Sequence, residues 1–375
     1  MRTEKRGLYI HVPFCVRKCN YCDFCSFAPD GEESVSRYVD ALIREAEEYR
    51  EERIAVDTVF FGGGTPSLLS PSDFSRLMRA LSESFDISAD AEITLEANPK
   101  TLTEEKLAAY TECGVKRISL GLQSIHENEL KILGRIHTYN EFLETYGLCR
   151  AHGIANINVD LMYGLPEQTF HSFEKTLDAV IGLAPEHVSV YGLILEEGTP
   201  LYNRRRELSF PDEDSEYSMY MLADAKLLRA GYLHYEISNY SRRGYESRHN
   251  LKYWHSTEYV GLGLSAHSYL DGVRFSNPSD IEVYLSDNRE RIIHEKLDLR
   301  SRADERVMLG LRLSEGISLT EYKKDFGINL LERFGEKLER LAGLGYIKIQ
   351  GDKLSLTAEG FYVSNYIINE LTESP

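Results

Sequence analysis

Short apolar runs alternate with helix-length amphipathic segments six times in the first 240 residues, and few architectures accept that order. "GLYIHV" precedes a helical pattern at 33–50, "VDTVFFGG" one at 71–85 and "AEITLEAN" one at 103–113. "KRISLGLQS" leads to helical patterns near 126–133 and 139–152, "NINVDLMYG" to one at 169–182, and "HVSVYGLIL" to one near 213–230. Strands separated by whole helices pair in parallel, so consecutive βα units are predicted. Ser70 before Pro71, and Thr103 before an acidic first turn, supply helix starts. The predicted fold is α/β, an open (β/α)6 partial barrel of the TIM type over 1–240. Such barrels gather chemistry at the C-terminal ends of their strands. Those ends carry the first cysteines, Gly62-Gly63-Gly64-Thr65, Glu96-Ala97-Asn98, Gln123-Ser124 and Asp160. A single polar residue leaving a strand is ordinary. Five strands ending so on one rim point to a site.

Beyond the sixth unit the pattern loosens. "YLHYEISNYS" and "YVGLGLSAHSYLDGVRFSN" read as strands with a hairpin turn at Asp271-Gly272. We take 241–300 as an extension of the barrel. From 301 to 375 three short amphipathic helices, "RADERVMLGLRL", "LTEYKKDF" and "LLERFGEKLERLAGLG", precede a hairpin turning at Gly351-Asp352 and a last helix. This predicts a winged-helix-like α+β domain. It holds ten basic and twelve acidic residues, whereas a wing that reads DNA is basic. A packing or regulatory role is expected.

The whole chain agrees: 43 basic against 60 acidic residues give a net charge of −17. Such a surface repels nucleic acid and anionic lipid. The basic stretches "NRRRE" and "SRRG" are short and read as solvated loops. Four of six cysteines crowd into residues 15–25, too clumped for a disulfide framework, so a reducing compartment is expected. The basic start "MRTEKRG" is followed by only a short apolar run, which is no signal peptide. No apolar run reaches the roughly 18 residues of a membrane span. The expectation is a cytoplasmic protein whose membrane contact, where there is any, runs through partners.

The stretch "CVRKCNYCDFC" carries the sharpest chemistry. Thiolates at this density select zinc or an iron–sulfur cluster. A tetrahedral zinc site usually joins two separated knuckles, and no second C-x2-C exists elsewhere. Cys15, Cys19 and Cys22, spaced C-x3-C-x2-C, suit a cubane with one iron left without a protein thiolate. Cys25 is given no ligand role.

That spacing resembles the signature of radical S-adenosylmethionine enzymes. "GLYIHVPFC", "FFGGGTPSLL", "LEANP", "GVKRISLGLQS", "LGRIH", "NVDLMYGLP" and "HNLKYW" extend the resemblance over essentially the whole chain. They are similar to the subgroup that holds oxygen-independent coproporphyrinogen III oxidase and the HemW-type haem chaperones. The resemblance implies a radical SAM core with a [4Fe–4S] cluster on Cys15, Cys19 and Cys22, its fourth iron binding S-adenosylmethionine. In active family members an electron from the cluster cleaves the sulfonium to methionine and a 5′-deoxyadenosyl radical. Tyr9 and Tyr21 match positions beside the cluster. Gly63, Gly64 and Thr65 match the strip that pairs with the methionine end. Glu96, Gln123, Arg135 and Asp160 match positions that hold the ribose, the carboxylate or neighbouring groups. Glycine lets backbone approach a ligand closely, and arginine suits a carboxylate.

"GLGLSA" (261–266) fits a dinucleotide fingerprint, but a hairpin rather than a helix follows it, so the nicotinamide reading is rejected. In "HNLKYW" spacing alone favours a structural histidine beside an aromatic anchor. The resemblance reverses this, because H-N-x-x-Y-W is similar to the haem-binding signature of the chaperone branch, which makes His249 an axial iron ligand. His11 and His267 lie in apolar runs and are expected to be core residues. Two features set the chain apart from the oxidase branch: the first strand begins near residue 7, and Cys25 stands three residues after Cys22 rather than two. A haem chaperone is therefore expected. Its partners would be haem, recipient haemoproteins of the respiratory chain and an electron donor. The alternatives are the oxidase itself and a radical enzyme acting on another substrate.

Overall fold

The computed structural model describes residues 5–286 and 289–372. Six parallel strands form its centre: β1 (Arg6–Val12), β2 (Ala55–Gly63), β3 (Asp86–Ala97), β4 (Arg117–Gln123), β5 (Asn156–Tyr163) and β6 (His187–Gly192). Each neighbouring pair is parallel and in chain order, as the βα alternation predicts. Side chains alternate across a strand, and β4 shows the consequence. Ile118, Leu120 and Leu122 are buried in the core beneath the helices. Arg117, Ser119, Gly121 and Gln123 face the lumen. The barrel has an apolar outside and a polar inside.

The sheet continues past both edges without closing. The strands β7 (Leu233–Glu236) and β8 (Asn239–Ser241) add antiparallel beside β6. On the other edge β9 (Tyr259–Leu262) lies parallel to β1, followed by β10 (His267–Leu270), β11 (Val273–Ser276) and β12 (Ile292–Lys296). A division at residue 240 falls inside β8, so 1–240 and 241–300 share one twelve-stranded sheet. "GLGLSA" is the turn from β9 into β10. A Cβ on Gly261 would lie 2.1 Å from His267 O, and no helix follows.

Glu45 fastens this arrangement. It lies on the helix Gly31–Glu47 and is fully buried. It accepts from Gly263 N–H (2.9 Å), Asn277 Nδ2 (2.7 Å) and the Tyr284 hydroxyl (2.7 Å). One carboxylate thus ties the first helix to the turn after β9.

The C-terminal unit has helices Leu299–Gly310, Leu319–Phe326 and Leu330–Gly343. Its strands β13 (Ile317–Ser318), β14 (Ile347–Gln350) and β15 (Lys353–Leu356) lie in the order β13-β15-β14, the predicted winged-helix pattern. Its own core includes Leu338, Leu341, Leu354 and Ile367, and Tyr220 from the barrel helix Glu213–Arg229 packs into it.

Replacing Glu45 with alanine orphans three buried donors, so a loss of about 3 kcal/mol in urea unfolding is expected. Glu45→Gln, which keeps an acceptor, should lose less. A loss below about 1 kcal/mol for the alanine variant would contradict the anchoring role.

Candidate functional site

The loop after β1 carries the clustered cysteines and is closed on itself. Cys15 N–H donates to Phe27 O (2.9 Å), and Phe27 N–H donates to Pro13 O (2.8 Å). The end of β2 clips it from the side, with Gly64 N–H on Val12 O (2.8 Å) and Thr65 N–H on Phe14 O (2.7 Å). A Cβ on Gly64 would lie 2.6 Å from Phe14 O, so only glycine allows the approach. Gly63 has φ +108°, and a Cβ there would strike the His11 ring at 2.5 Å. Farther along, Asn20 N–H and Nδ2 donate to Leu133 O and Ile132 O, both at 2.8 Å. These bonds hold the loop to the helix Glu127–Leu133.

So held, Cys15, Cys19 and Cys22 line one cavity of about 430 Å³ in the lumen. Cys25 does not line it. Its side chain packs on the barrel core, and its carbonyl accepts His11 Nε2–H (2.8 Å). All six cysteines are free thiols. Thr65 Oγ1 donates to Cys15 Sγ (3.5 Å), and Arg135 Nη1 donates to Cys19 Sγ (3.6 Å). Burial pushes the Cys15 and Cys22 thiols up. Among the described residues no three His, Cys, Asp or Glu side chains converge on a point that would hold one metal ion. Three thiols lining one cavity suit a multi-iron cluster.

The remaining walls are polar. Gly63 N–H donates to Glu96 Oε2 (3.1 Å). Arg135 Nη2 donates to Asn98 Oδ1 (2.6 Å) and to Gly121 O. Asp160 accepts from Ser119 Oγ (3.1 Å) and Asn158 Nδ2 (2.8 Å). Gln123 lines the cavity at φ +70°, a conformation that costs a non-glycine residue about 1 kcal/mol or more. Burial, with Asp160 nearby, raises Glu96 to about 8. Burial also pushes Asp160 up, opposed by its hydrogen bonds.

The structure therefore brings together Cys15, Cys19, Cys22, Tyr21, Gly63, Gly64, Glu96, Gln123, Arg135 and Asp160 around one space. Tyr9 and Thr65 stand a layer behind. Thr65 backs Cys15, and the Tyr9 hydroxyl donates to His11 Nδ1 (3.0 Å). A carbonyl can only accept, so the bond to Cys25 O fixes the His11 proton on Nε2.

His249 is elsewhere. Its helix, Arg248–Trp254, packs at the opposite end of the barrel, where the strands begin. Lys252 Nζ there bonds Lys5 O and Asp57, both at 2.7 Å. The His249 ring stacks on Phe60 with centroids 5.2 Å apart. Nδ1 pairs with the Thr58 hydroxyl and Nε2 with the Tyr253 hydroxyl, both at 2.9 Å. The side chain is buried, and burial pushes its pKa down to about 3. The expectation of an axial ligand thus meets a neutral imidazole with both nitrogens engaged, the structural role that spacing alone favours. Its neighbour Asn250, however, lines the same cavity as the cysteines. The lumen runs from the cysteine loop to the "HNLKYW" helix.

Sequence reasoning missed Arg117, Ser119, Asn158, Ser189, Tyr191 and Asn250, which also line the lumen. The signal was present in the strands: in "RISLGLQ" every second residue is polar or glycine, which in a parallel barrel marks the inward face.

A profile of the radical SAM superfamily matches residues 9–180, and one of the HemN C-terminal domain matches 297–363. "Heme chaperone HemW" of Lactococcus lactis is 34% identical over 374 residues, spanning 99% of this chain and 98% of that protein. The chain belongs to the HemW family of radical SAM proteins. The Bacillus subtilis relative of the same name is 34% identical, with 96% and 98% coverage. The Escherichia coli one is 41% identical over 264 residues, covering 70% of this chain and 69% of its own. Coproporphyrinogen III oxidase (HemN) of Escherichia coli superposes with a TM-score of 0.86 over 98% of this chain and 90% of its own. At 23% identity that likeness is one of fold.

Membership of the radical SAM family brings a [4Fe–4S] cluster and S-adenosylmethionine. Three inward thiols, a glycine-backed wall, carboxyls and a guanidinium fit them.

Two outcomes follow for the site. Serine at Cys15, Cys19 or Cys22 should cost about one cluster per chain after anaerobic reconstitution, read as iron and sulfide content. Serine at Cys25 should leave that content intact. Separately, burial and Asp160 hold Glu96 at about 8 in the folded state, against its ordinary 4.5. The folded state then keeps a proton that the unfolded chain has lost, so stability falls as pH rises from about 5 through 8. Glu96→Gln removes this dependence and should gain about 2 kcal/mol or more on the wild type between pH 5 and 8. Parallel urea curves at both pH values would expose the error if the gap stays constant.

Proposed function

We propose that this chain is a haem chaperone: it carries a [4Fe–4S] cluster with S-adenosylmethionine, binds haem and hands it to haemoproteins. Cys15, Cys19 and Cys22 hold three irons of the cluster. The open iron and the walls formed by Tyr21, Gly63, Gly64, Glu96, Gln123, Arg135 and Asp160 hold S-adenosylmethionine, for which the pair supplies one-electron reductive chemistry. Tyr9 and Thr65 support this wall from behind. Recipients are membrane haemoproteins of the respiratory chain, and an electron donor serves the cluster. No helix among the described residues is long and apolar enough to cross a membrane, so membrane contact would run through those partners.

One observation carries the reading. The helix bearing "HNLKYW" closes the barrel end opposite the cysteines and contributes Asn250 to the common lumen. In a chain alike over nearly its full length to proteins named heme chaperone, a motif helix and a cysteine loop that reach one cavity support this reading. Ligation by His249 requires Nε2 to leave the Tyr253 hydroxyl. A neutral hydrogen bond of that kind contributes about 1 kcal/mol, and the ring must also come out from its buried place against Phe60.

Haem titration of the reconstituted protein tests this. Saturable binding is expected, with the iron–imidazole absorption signature lost in His249→Ala. Tyr253→Phe frees Nε2 and should tighten binding about fivefold. Absence of saturable binding, together with anaerobic decarboxylation of coproporphyrinogen III, would overturn the chaperone reading in favour of an oxidase.

A further inference from the structure

One row of the barrel wall is left chemically unfinished. Thr94 on β3, Arg117 on β4 and Asn156 on β5 are direct partners in register, Thr94 with Arg117 and Arg117 with Asn156. Each carries a buried side-chain atom with no hydrogen-bond partner among the described residues: Thr94 Oγ1, Arg117 Nε and Asn156 Oδ1. Arg117 is only 2% exposed, yet it lines the lumen cavity. No carboxylate among the described residues stands within ion-pair distance of it. Its charge is offset only at a distance, by Glu96 and Asp160, and a buried guanidinium with no direct ion pair is costly to keep in a wall.

The neighbouring row shows what a finished wall looks like. Ser119 and Asn158 both donate to Asp160. Asn158 Oδ1 is bonded to His187 Nδ1 (2.6 Å) and accepts from Ser189 Oγ (3.1 Å). His187 Nε2 pairs with the Tyr235 hydroxyl (2.7 Å). Every polar side chain in that set is satisfied by its neighbours. The Arg117 row lies one step deeper than the row of Glu96 and Ser119, toward the strand starts. It also contains Phe60, on which His249 stacks. It therefore lies between the cysteine end of the lumen and the "HNLKYW" helix.

We propose that Arg117 forms a carboxylate site in the lower lumen, which takes a propionate arm of the bound tetrapyrrole. A planar guanidinium is the matched partner for a carboxylate, and Thr94 backs it from outside the cavity lining. Glu96 and Asp160 feel the Arg117 charge, but neither makes an ion pair with it among the described residues, and Asp160 is held by Ser119 and Asn158. The inference rests on the proposed haem function and gives it an orientation: one propionate inward, and the macrocycle toward the helix that carries His249.

Haem and its dimethyl ester, titrated side by side, test the site. The ester has the same macrocycle and iron but no carboxylate. In the wild type the ester should bind about tenfold or more weaker than haem, the effect of losing a charged hydrogen-bonded pair. In Arg117→Met the two should bind alike, with cluster iron content unchanged as the check on folding. Equal binding of haem and ester by the wild type overturns the site even where Arg117→Met does not fold. A difference that persists in Arg117→Met overturns it as well. Saturable haem binding in those cases leaves the chaperone reading standing, whereas no haem binding by the wild type removes both.

Discussion

The close approach of Gly64 to the backbone of Phe14 decides how the cysteine loop sits. Two β2-end amides reach across to Val12 O and Phe14 O, and any side chain at Gly64 would collide with the second of these. With that clip in place, and with Phe27 folded back against Pro13 and Cys15, three thiols turn into the lumen and one turns away. The spacing of the cysteines alone does not say which. The partner that decides is a glycine some forty residues on, at the end of another strand.

The polar lumen follows from the same architecture. Parallel strands covered by helices place their apolar side chains outward, which leaves every second residue for the inside. A polar interior is costly unless its groups are paired. Most of this one is paired, through Ser119, Asn158, Asp160, His187 and Ser189. Three of the exceptions, on Thr94, Arg117 and Asn156, are neighbours in register. They form a row midway between two chemically distinct ends: a cysteine end that suits a cluster, and an "HNLKYW" end where an imidazole is held neutral between two hydroxyls. A cavity that reaches from the cysteines to Asn250 brings the two ends close, with His249 buried just behind it.

Much of this was legible in the sequence, for local reasons. The six βα units declare themselves by periodicity, and the hairpins at Asp271-Gly272 and Gly351-Asp352 by their turn residues. The three-cysteine signature stands within a few residues of chain. The placement of His249 was not legible, because Thr58, which holds its Nδ1, is 191 residues away. Nor was the second layer behind the site, where Tyr9 acts on His11 rather than facing the cavity. Arg117 lay in plain view within "KRISLGLQS". Its meaning depends on Thr94 and Asn156 being its neighbours in register, which only the assembled sheet shows.

Electron paramagnetic resonance of the reduced cluster, with and without S-adenosylmethionine, asks most directly whether Cys15, Cys19 and Cys22 leave one iron open. With Cys25 turned into the barrel core, the cofactor should shift the cluster signal in the wild type and equally in Cys25→Ser. A wild-type signal indifferent to S-adenosylmethionine that becomes responsive in Cys25→Ser would contradict this, and would make Cys25 the fourth ligand.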